Sequence, residues 1–231
     1  MIVLSTIARR WYAFAFVALL VWSASQEQGG WKRAVRFLAI SFCVQLAAEL
    51  SSTRNGFPFG RYDYIAPTHG DELYISDVPL FVPLSFGSVV WAARAYAVAA
   101  FRAAGARLVI AGAATAAVID AVIDPMTLQG DTWFLGPLYA YRKPGWFFDV
   151  PWTNFAGWIA SAALILAIDE AFHTSPASPS LRSLAVPFSI LAFFVTLALA
   201  TGHPAVAAFG FVVTAAFVAG IQARRMEHRM P

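Results

Sequence analysis

Two aspartates, Asp120 and Asp124, stand four residues apart in the otherwise apolar stretch of residues 108–125. In a helix this spacing places both carboxyl groups on one face, one turn apart. A charged group inside a membrane span costs about 2.5 kcal/mol or more, so acidic residues kept there usually have a function. A helix usually stops before a proline, so Pro125 predicts that this helix ends at Asp124, where the helix dipole is negative. Two carboxylates in such a place need a proton, a cation or a metal ion nearby.

A third carboxylate, Glu49, lies near the end of an earlier apolar stretch. The predicted topology brings it to the same side of the membrane as the two aspartates. Its alternative role is an ion pair with Arg54 or Arg61. Two further residues stand out in a later apolar stretch, where Asn154 can orient water or a carboxylate and Trp158 lies one turn beyond it. The alternative for Asn154 is a hydrogen bond to a neighbouring helix.

Aromatic residues alternate in the loop between the second and third apolar stretches. Phe57 and Phe59 are two residues apart, as are Tyr62 and Tyr64, and glycine and proline between them disfavour a helix. We therefore predict an extended segment with each pair on one face. Such a strip can line a slot for a long, flat substrate, or it can pack a re-entrant loop against the bundle.

Other carboxylates in the two long loops have simpler interpretations. Asp77 and Asp149 each stand before a Val-Pro sequence at the start of an apolar stretch, which is typical of a helix N-cap followed by proline in the first turn. Asp71 and Glu72 are predicted to be solvated loop charges.

The elements that must position these residues are membrane helices. The chain has 231 residues, of which 59% are hydrophobic and 13% charged, a balance that excludes an ordinary soluble domain. About 20 apolar residues cross a bilayer, and seven such stretches predict one all-α polytopic transmembrane domain over residues 1–231. They are residues 3–24, 34–50, 78–100, 106–123, 152–168, 184–201 and 204–222. The formal net charge of +3 is spread over loops, so we expect no nucleic-acid partner.

The first apolar stretch has an alternative interpretation. Arg9, Arg10 and the small residues 23–25 flank it as they would flank a signal peptide. With six further spans behind it, we expect it to be a retained helix.

Cysteine and histidine usage argues against a metal centre. Cys43 is the only cysteine, so an intramolecular disulfide and a thiolate metal site are excluded. The four histidines show no metal-ligand spacing. We predict no metal site from these residues.

Several of these motifs together resemble a known family. In order along the chain they are Glu49, Phe57-Pro-Phe-Gly-x-Tyr62-x-Tyr64, Val78-Pro-Leu-x-x-Pro83, Asp120-x-x-x-Asp124-Pro, Trp133 and Val150-Pro-x-x-Asn154-Phe-x-Gly-Trp158. This ordered set is similar to the membrane-integral carotenoid biosynthesis family that includes bacterial carotenoid 1,2-hydratases and archaeal bisanhydrobacterioruberin hydratases. The resemblance covers roughly residues 40–170.

The resemblance implies an enzyme that adds water to the terminal 1,2 double bond of a linear carotenoid, without a cofactor. A general acid protonates C2, water attacks the tertiary cation at C1, and a base removes the extra proton. We assign the acid and the handling of water to Glu49, Asp120 and Asp124, without distinguishing their roles. Carboxyl groups clustered in a low-dielectric site favour one another's neutral form, as an acid requires. The residues assigned to substrate binding are Phe57, Phe59, Tyr62, Tyr64, Asp77, Trp133, Asp149, Trp152, Asn154 and Trp158.

The expected partners are a lipophilic carotenoid and the lipid bilayer of a bacterial or archaeal cytoplasmic membrane. One alternative is a magnesium-dependent prenyltransferase, in which the Asp120-x-x-x-Asp124 motif holds the metal and a diphosphate. A carotenoid cyclase is chemically closer, since it also begins by protonating a polyene. A transporter or pigment-binding protein is the non-enzymatic alternative, but Lys32 and Lys143 lie outside the spans and cannot carry covalent retinal.

Overall fold

The computed structural model describes residues 1–65, 69–129, 138–172 and 181–227, and within them the chain is a helical bundle. The helices are α1 (Ile2–Arg9), α2 (Trp11–Ser25), α3 (Gly30–Asn55), α4 (Phe81–Phe101), α5 (Gly105–Thr127), α6 (Trp152–Ala171), α7 (Ala185–Ala200) and α8 (Pro204–Glu227). Six helical segments of this part are long and apolar enough to cross a membrane, and the α1–α2 pair makes a seventh if it is one broken span. The predicted all-α membrane bundle is confirmed.

Two short antiparallel strand pairs were not predicted. They are formed by β1 (Tyr62–Tyr64) with β4 (Tyr139–Tyr141), and by β2 (Tyr74–Ile75) with β3 (Val78–Pro79). The first pair joins the two long aromatic loops to each other at one end of the bundle. Its register sets Tyr62 opposite Tyr141 and Tyr64 opposite Tyr139. Because side chains alternate along a strand, all four tyrosines share one face of this ladder.

The first predicted span is broken rather than continuous. α1 and α2 meet at an angle of 82°, and the break lies at Arg10, whose side chain forms a buried ion pair with Glu72 at 2.8 Å. The Arg10 guanidinium also lies over the Phe81 ring, and the Thr6 hydroxyl accepts the Leu73 N–H at 2.9 Å. The prediction that Glu72 is a solvated charge was therefore wrong. A buried ion must be paired, and this pairing holds the chain in a bend.

Neither Asp77 nor Asp149 is a helix N-cap, contrary to the prediction. Asp77 lies in the turn between β2 and β3, so α4 begins only at Phe81 and its N-cap is Leu80. Asp149 has a left-handed backbone, with φ of 67°, and the N-cap of α6 is Pro151. In both segments the aspartate belongs to a local turn that ends before the helix begins, so its side chain is not at the helix start.

Pro125 does not end α5, contrary to the prediction. The helix continues to Thr127, so Asp124 lies inside its last turns. A proline this close to the end removes one backbone hydrogen bond but leaves later ones intact. The Asp124 carbonyl accepts the Leu128 N–H at 3.3 Å and the Thr127 hydroxyl at 2.8 Å.

The far end of the bundle is closed by a buried ionic cluster of Glu27, Arg33, Arg94 and Asp169. Arg33 contacts Glu27 at 3.1 Å and Asp169 at 3.0 Å, and Arg94 contacts Glu27 at 3.0 Å. Both guanidinium groups also face the ring of Trp91. All four charged side chains are buried, so this cluster links four segments of the chain across the bundle.

Candidate active site

A cavity of about 880 Å³, including its open mouth, lies between the helices beneath the β1–β4 ladder. Polar groups gather at the end next to the ladder, where α3 contributes Glu49, α5 contributes Asp120 and Asp124, and α6 contributes Asn154. The remaining wall is mostly apolar and aromatic.

Asp120 and Asp124 share one hydrogen-bond donor. The Asn154 side-chain nitrogen donates to Oδ2 of Asp120 at 2.7 Å and to Oδ2 of Asp124 at 2.9 Å. The four-residue spacing on α5 places the carboxyl groups one above the other, and Asn154 reaches them from the first turn of α6. The amide therefore holds the two carboxyl groups beside each other in a buried site.

The two aspartates differ in their other partners. Asp124 also accepts hydrogen bonds from the hydroxyls of Tyr139, Tyr141 and Thr127. Among the described residues, Asn154 is the partner seen for the Asp120 side chain. Donors of this kind stabilise the charged form of a carboxyl group. Asp124 is therefore surrounded by more hydrogen-bond donors than Asp120.

Glu49 is held by hydroxyl and amide groups rather than by a cation. Its Oε2 accepts hydrogen bonds from Tyr62 and Tyr64, the latter at 2.6 Å, and its Oε1 accepts one from Gln45. The alternative ion pair with Arg54 is not formed, because Arg54 contacts Ser76 at 3.3 Å and Asp77 at 3.9 Å. Glu49, Asp120 and Asp124 all line the same cavity.

The four tyrosines of the ladder supply these donors and remain protonated. Burial raises the pKa of each phenol well above its ordinary value, and the neighbouring carboxylates Glu49 or Asp124 raise it further. Their rings also contact one another, for example Tyr62 with Tyr139 at 5.3 Å and with Tyr141 at 5.5 Å. The ladder therefore presents proton donors and aromatic faces to the same cavity.

On the outer face of the ladder, the exposed Asp63 pairs with Arg142 at 2.7 Å. The hydrogen bond from Arg142 lowers the pKa of Asp63. This pair ties β1 to β4 outside the cavity.

Part of the cavity wall is formed by α2 and α7, and we call this part the apolar arm. Tyr12, Ala13 and Phe16 of α2 line one side, and Ile190 and Phe194 of α7 line the other. Among the described residues that line it, these side chains are apolar or aromatic, and Tyr12 alone of the five carries a hydroxyl.

The predicted site residues fall into two groups. The structure brings together Glu49, Asp120, Asp124, Phe59, Tyr62, Tyr64, Asn154 and Trp158 in the cavity wall. It places Phe57, Asp77, Asp149 and Trp152 away from that wall. Trp133 lies outside the described residues.

Of the segment predicted to be extended, only the second half forms a strand. Tyr62 and Tyr64 form β1 and face the cavity together. Phe57 and Phe59 lie in a turn instead, which leaves Phe57 72% exposed and Phe59 3% exposed. Trp158 lines the cavity and stacks on Phe86 with ring centroids 4.0 Å apart, and its role in substrate binding stays a prediction.

Four residues that donate hydrogen bonds to these carboxyl groups were missed, namely Gln45, Thr127, Tyr139 and Tyr141. The sequence did contain signals for most of them. Tyr139 and Tyr141 repeat the two-residue spacing of Tyr62 and Tyr64, and Gln45 precedes Glu49 by four residues. Thr127 lies beyond Pro125, in a turn that was predicted not to be helical.

Comparison with known proteins identifies the family. The sequence profile described as carotenoid biosynthesis protein matches residues 1–222. The chain belongs to this carotenoid biosynthesis family. A bisanhydrobacterioruberin hydratase of Haloarcula japonica is 29% identical over 153 residues, which are 64% of this chain and 49% of that protein. The chain thus spans about half the length of this curated relative. No solved structure shows significant similarity to the present chain.

In this member of the carotenoid biosynthesis family, several of the motifs described in the sequence analysis converge on the cavity. The acidic pair of α5, Glu49 of α3 and the Asn154 amide meet there although they are far apart in sequence. The protein is therefore a membrane protein with a buried acidic site in an apolar, aromatic cavity.

Proposed function

We propose that the protein adds water to the terminal 1,2 double bond of a linear carotenoid by acid catalysis. The observation that supports this most is the position of three buried carboxyl groups at the end of an apolar, aromatic cavity. The family match and the printed name of the Haloarcula japonica relative agree with it. Such a site can place a proton donor beside the end of a polyene, which is what acid-catalysed hydration requires.

In this proposal the carotenoid end group lies beside the carboxyl groups, and the polyene occupies the apolar arm between α2 and α7. Burial of a conjugated chain against Tyr12, Phe16 and Phe194 supplies most of the binding free energy, at about 25 cal/mol per Å² of apolar surface. A linear carotenoid is longer than the cavity, so its remainder extends towards the bilayer.

Asp120 is the proposed general acid. It receives fewer hydrogen bonds than Asp124, and the anionic neighbour disfavours a second negative charge beside it. Its proton passes to C2, forming the C2–H bond with the π electrons of the double bond. Asp120 becomes a carboxylate, and C1 becomes a tertiary cation.

Asp124 and the tyrosine rings are proposed to stabilise that cation. Asp124 is held as an anion by Tyr139, Tyr141 and Asn154. An aromatic face contributes about 0.5–2 kcal/mol to a nearby cation, and several faces of the ladder line the cavity. The charges are thus in place before the cation forms, which is how preorganised sites lower a barrier.

Water then attacks C1 and forms the C–O bond. Glu49 is the proposed base that takes the proton released by the oxonium group, and proton exchange with the aspartate pair restores the starting state. One water is added overall, so the reaction needs no oxidant or reductant.

The magnesium-dependent alternative receives no support from the second acidic motif. Asp71 pairs with Arg9 at 3.0 Å, Glu72 pairs with Arg10 at 2.8 Å, and neither lines the cavity. A diphosphate held between Asp120 and this motif would have to break a buried ion pair.

The proposal is tested by expressing the protein in a bacterial host that accumulates lycopene, and in one that accumulates bisanhydrobacterioruberin. Chromatography and mass spectrometry of the pigments should show a more polar product that is heavier by one or two waters and keeps its chromophore. A product of unchanged mass would identify a cyclase instead. Unchanged pigment in both hosts, with well-expressed protein, would refute the hydratase proposal for these carotenoids.

A further inference from the structure

Two side-chain atoms in the cavity wall are buried but have no hydrogen-bond partner within the described residues. They are Oε1 of Gln45 on α3 and Oγ of Ser88 on α4. The two residues are only 2% and 1% exposed, and both line the cavity that holds the carboxyl groups. Buried polar atoms are nearly always hydrogen-bonded, so these two atoms indicate a small polar ligand.

The orientation of the Gln45 amide is fixed by its neighbour. Its nitrogen donates to Oε1 of Glu49, one helical turn further along α3, so its oxygen points away from that carboxylate. An amide oxygen is an acceptor, and a serine hydroxyl can donate as well as accept. Together they match the donor and acceptor capacity of a water molecule.

α3 and α4 pack closely near these two residues, which both line the cavity. Ser41 lies one turn before Gln45, and a side chain added at Gly87 would meet the Cβ of Ser41 at 3.1 Å. Ser88 directly follows that glycine. Because Gly87 has no side chain, α4 can lie close to the segment of α3 that carries Ser41 and Gln45.

We propose that Gln45 and Ser88 bind the water molecule that attacks the carotenoid cation. This inference rests on the proposed hydratase function. The water donates one hydrogen bond to Oε1 of Gln45 and accepts one from the Ser88 hydroxyl, which leaves a lone pair for the new bond to C1. The oxonium proton passes to Glu49, which lies next to Gln45.

The site separates protonation of the carotenoid from hydration. If the bound water is lost, protonation of C2 still occurs, but the cation has no nucleophile. It then returns a proton from C2 to a carboxylate and reforms the double bond. In heavy water, this reversal leaves deuterium in the recovered, unhydrated carotenoid.

The test uses Ser88→Ala and Gln45→Met, with the reaction run in heavy water and both the product and the recovered carotenoid measured by mass spectrometry. We expect hydration to fall at least about tenfold in each variant, which corresponds to about 1.4 kcal/mol, while deuterium still enters the recovered carotenoid. The Michaelis constant for the carotenoid should not change. Ser88→Ala removes one oxygen atom and leaves the contacts of Glu49 intact. It therefore keeps the test decisive even if the glutamine variant misfolds.

Ser41→Ala is the matched control. Ser41 is also buried with an unpartnered hydroxyl, but it does not line the cavity, so its removal should leave hydration unchanged. Wild-type hydration rates in Ser88→Ala would overturn the inference. So would an equal fall of hydration and deuterium incorporation, because that result means a loss of protonation. Absence of hydration by the wild-type protein would instead contradict the proposed function.

Discussion

Tyr62 and Tyr141 face each other across the β1–β4 ladder, and each donates a hydrogen bond to a different carboxyl group. Tyr62 binds Glu49 of α3, and Tyr141 binds Asp124 of α5 at 3.3 Å. One cross-strand pair therefore fixes the relative position of two acidic groups that come from separate helices. Anything that disturbs this pair changes both halves of the site at once.

Replacement of either aspartate should abolish most activity. Asp120→Asn removes the proposed general acid, and Asp124→Asn removes the anion proposed to stabilise the cation, so each is expected to reduce hydration by at least about 100-fold. Pigment analysis in the lycopene-accumulating host measures this. The control is Asp71→Asn, an exposed aspartate outside the cavity, which should hydrate normally. Normal turnover by both site variants would disprove the acid mechanism.

A bulky residue in the apolar arm should discriminate between long and short substrates. Ala13→Phe narrows the arm between α2 and α7, and we expect hydration of a long carotenoid to fall about tenfold or more. A short acyclic terpene with the same end group should react as before. Ala15→Phe is the matched control, since residue 15 is exposed on the same helix. Equal losses for both substrates would mean that the arm does not hold the polyene.

The ionic cluster at the far end should matter for stability rather than catalysis. Asp169→Asn leaves Arg33 and Arg94 buried with Glu27 as their remaining carboxylate. Breaking a buried ion pair costs about 3–5 kcal/mol, so the melting temperature in detergent should fall by several degrees. Asp63→Asn breaks an exposed pair with Arg142 and should barely shift it. A melting temperature unchanged by Asp169→Asn would show that the cluster is not stabilising.

The tyrosines should make the protein sensitive to alkali. Burial, and then the nearby carboxylates, raise the pKa of Tyr62 and Tyr139 above the ordinary value of 10.0. The folded state thus binds these protons more tightly than the unfolded state. Their contribution to stability is complete below about pH 10 and is lost as the pH rises through the folded-state values. Ultraviolet absorbance of tyrosinate should show that they ionise only as the helices unfold. Ionisation of all tyrosines in a folded protein would contradict this.

Local spacing was sufficient to predict part of the site. The helical period placed Asp120 and Asp124 on one face, and the alternation of Tyr62 and Tyr64 predicted a strand whose side chains face the same way. Both inferences depend on neighbours in sequence. Asn154 was singled out as a residue that can orient water or a carboxylate, and in the structure its amide donates to two carboxyl groups.

The remaining features depend on contacts between distant segments. The pairing of β1 with β4 joins residues nearly 80 positions apart, and no local pattern specifies which segment a short strand will meet. The buried Arg10–Glu72 pair bends a stretch that composition alone describes as one helix. Likewise, hydrogen bonds formed beyond Pro125 extend α5 by a turn, which a rule based on proline alone does not anticipate.

The closed far end of the bundle has a consequence for carotenoids with two acyclic ends. A polyene could pass between Glu27, Arg33, Arg94 and Asp169 only by breaking their buried ion pairs. On the proposed function, the same molecule must therefore withdraw, turn around in the bilayer and enter again for its second end to react. Synthesis of a symmetric diol is then distributive, and the singly hydrated carotenoid accumulates before the doubly hydrated one.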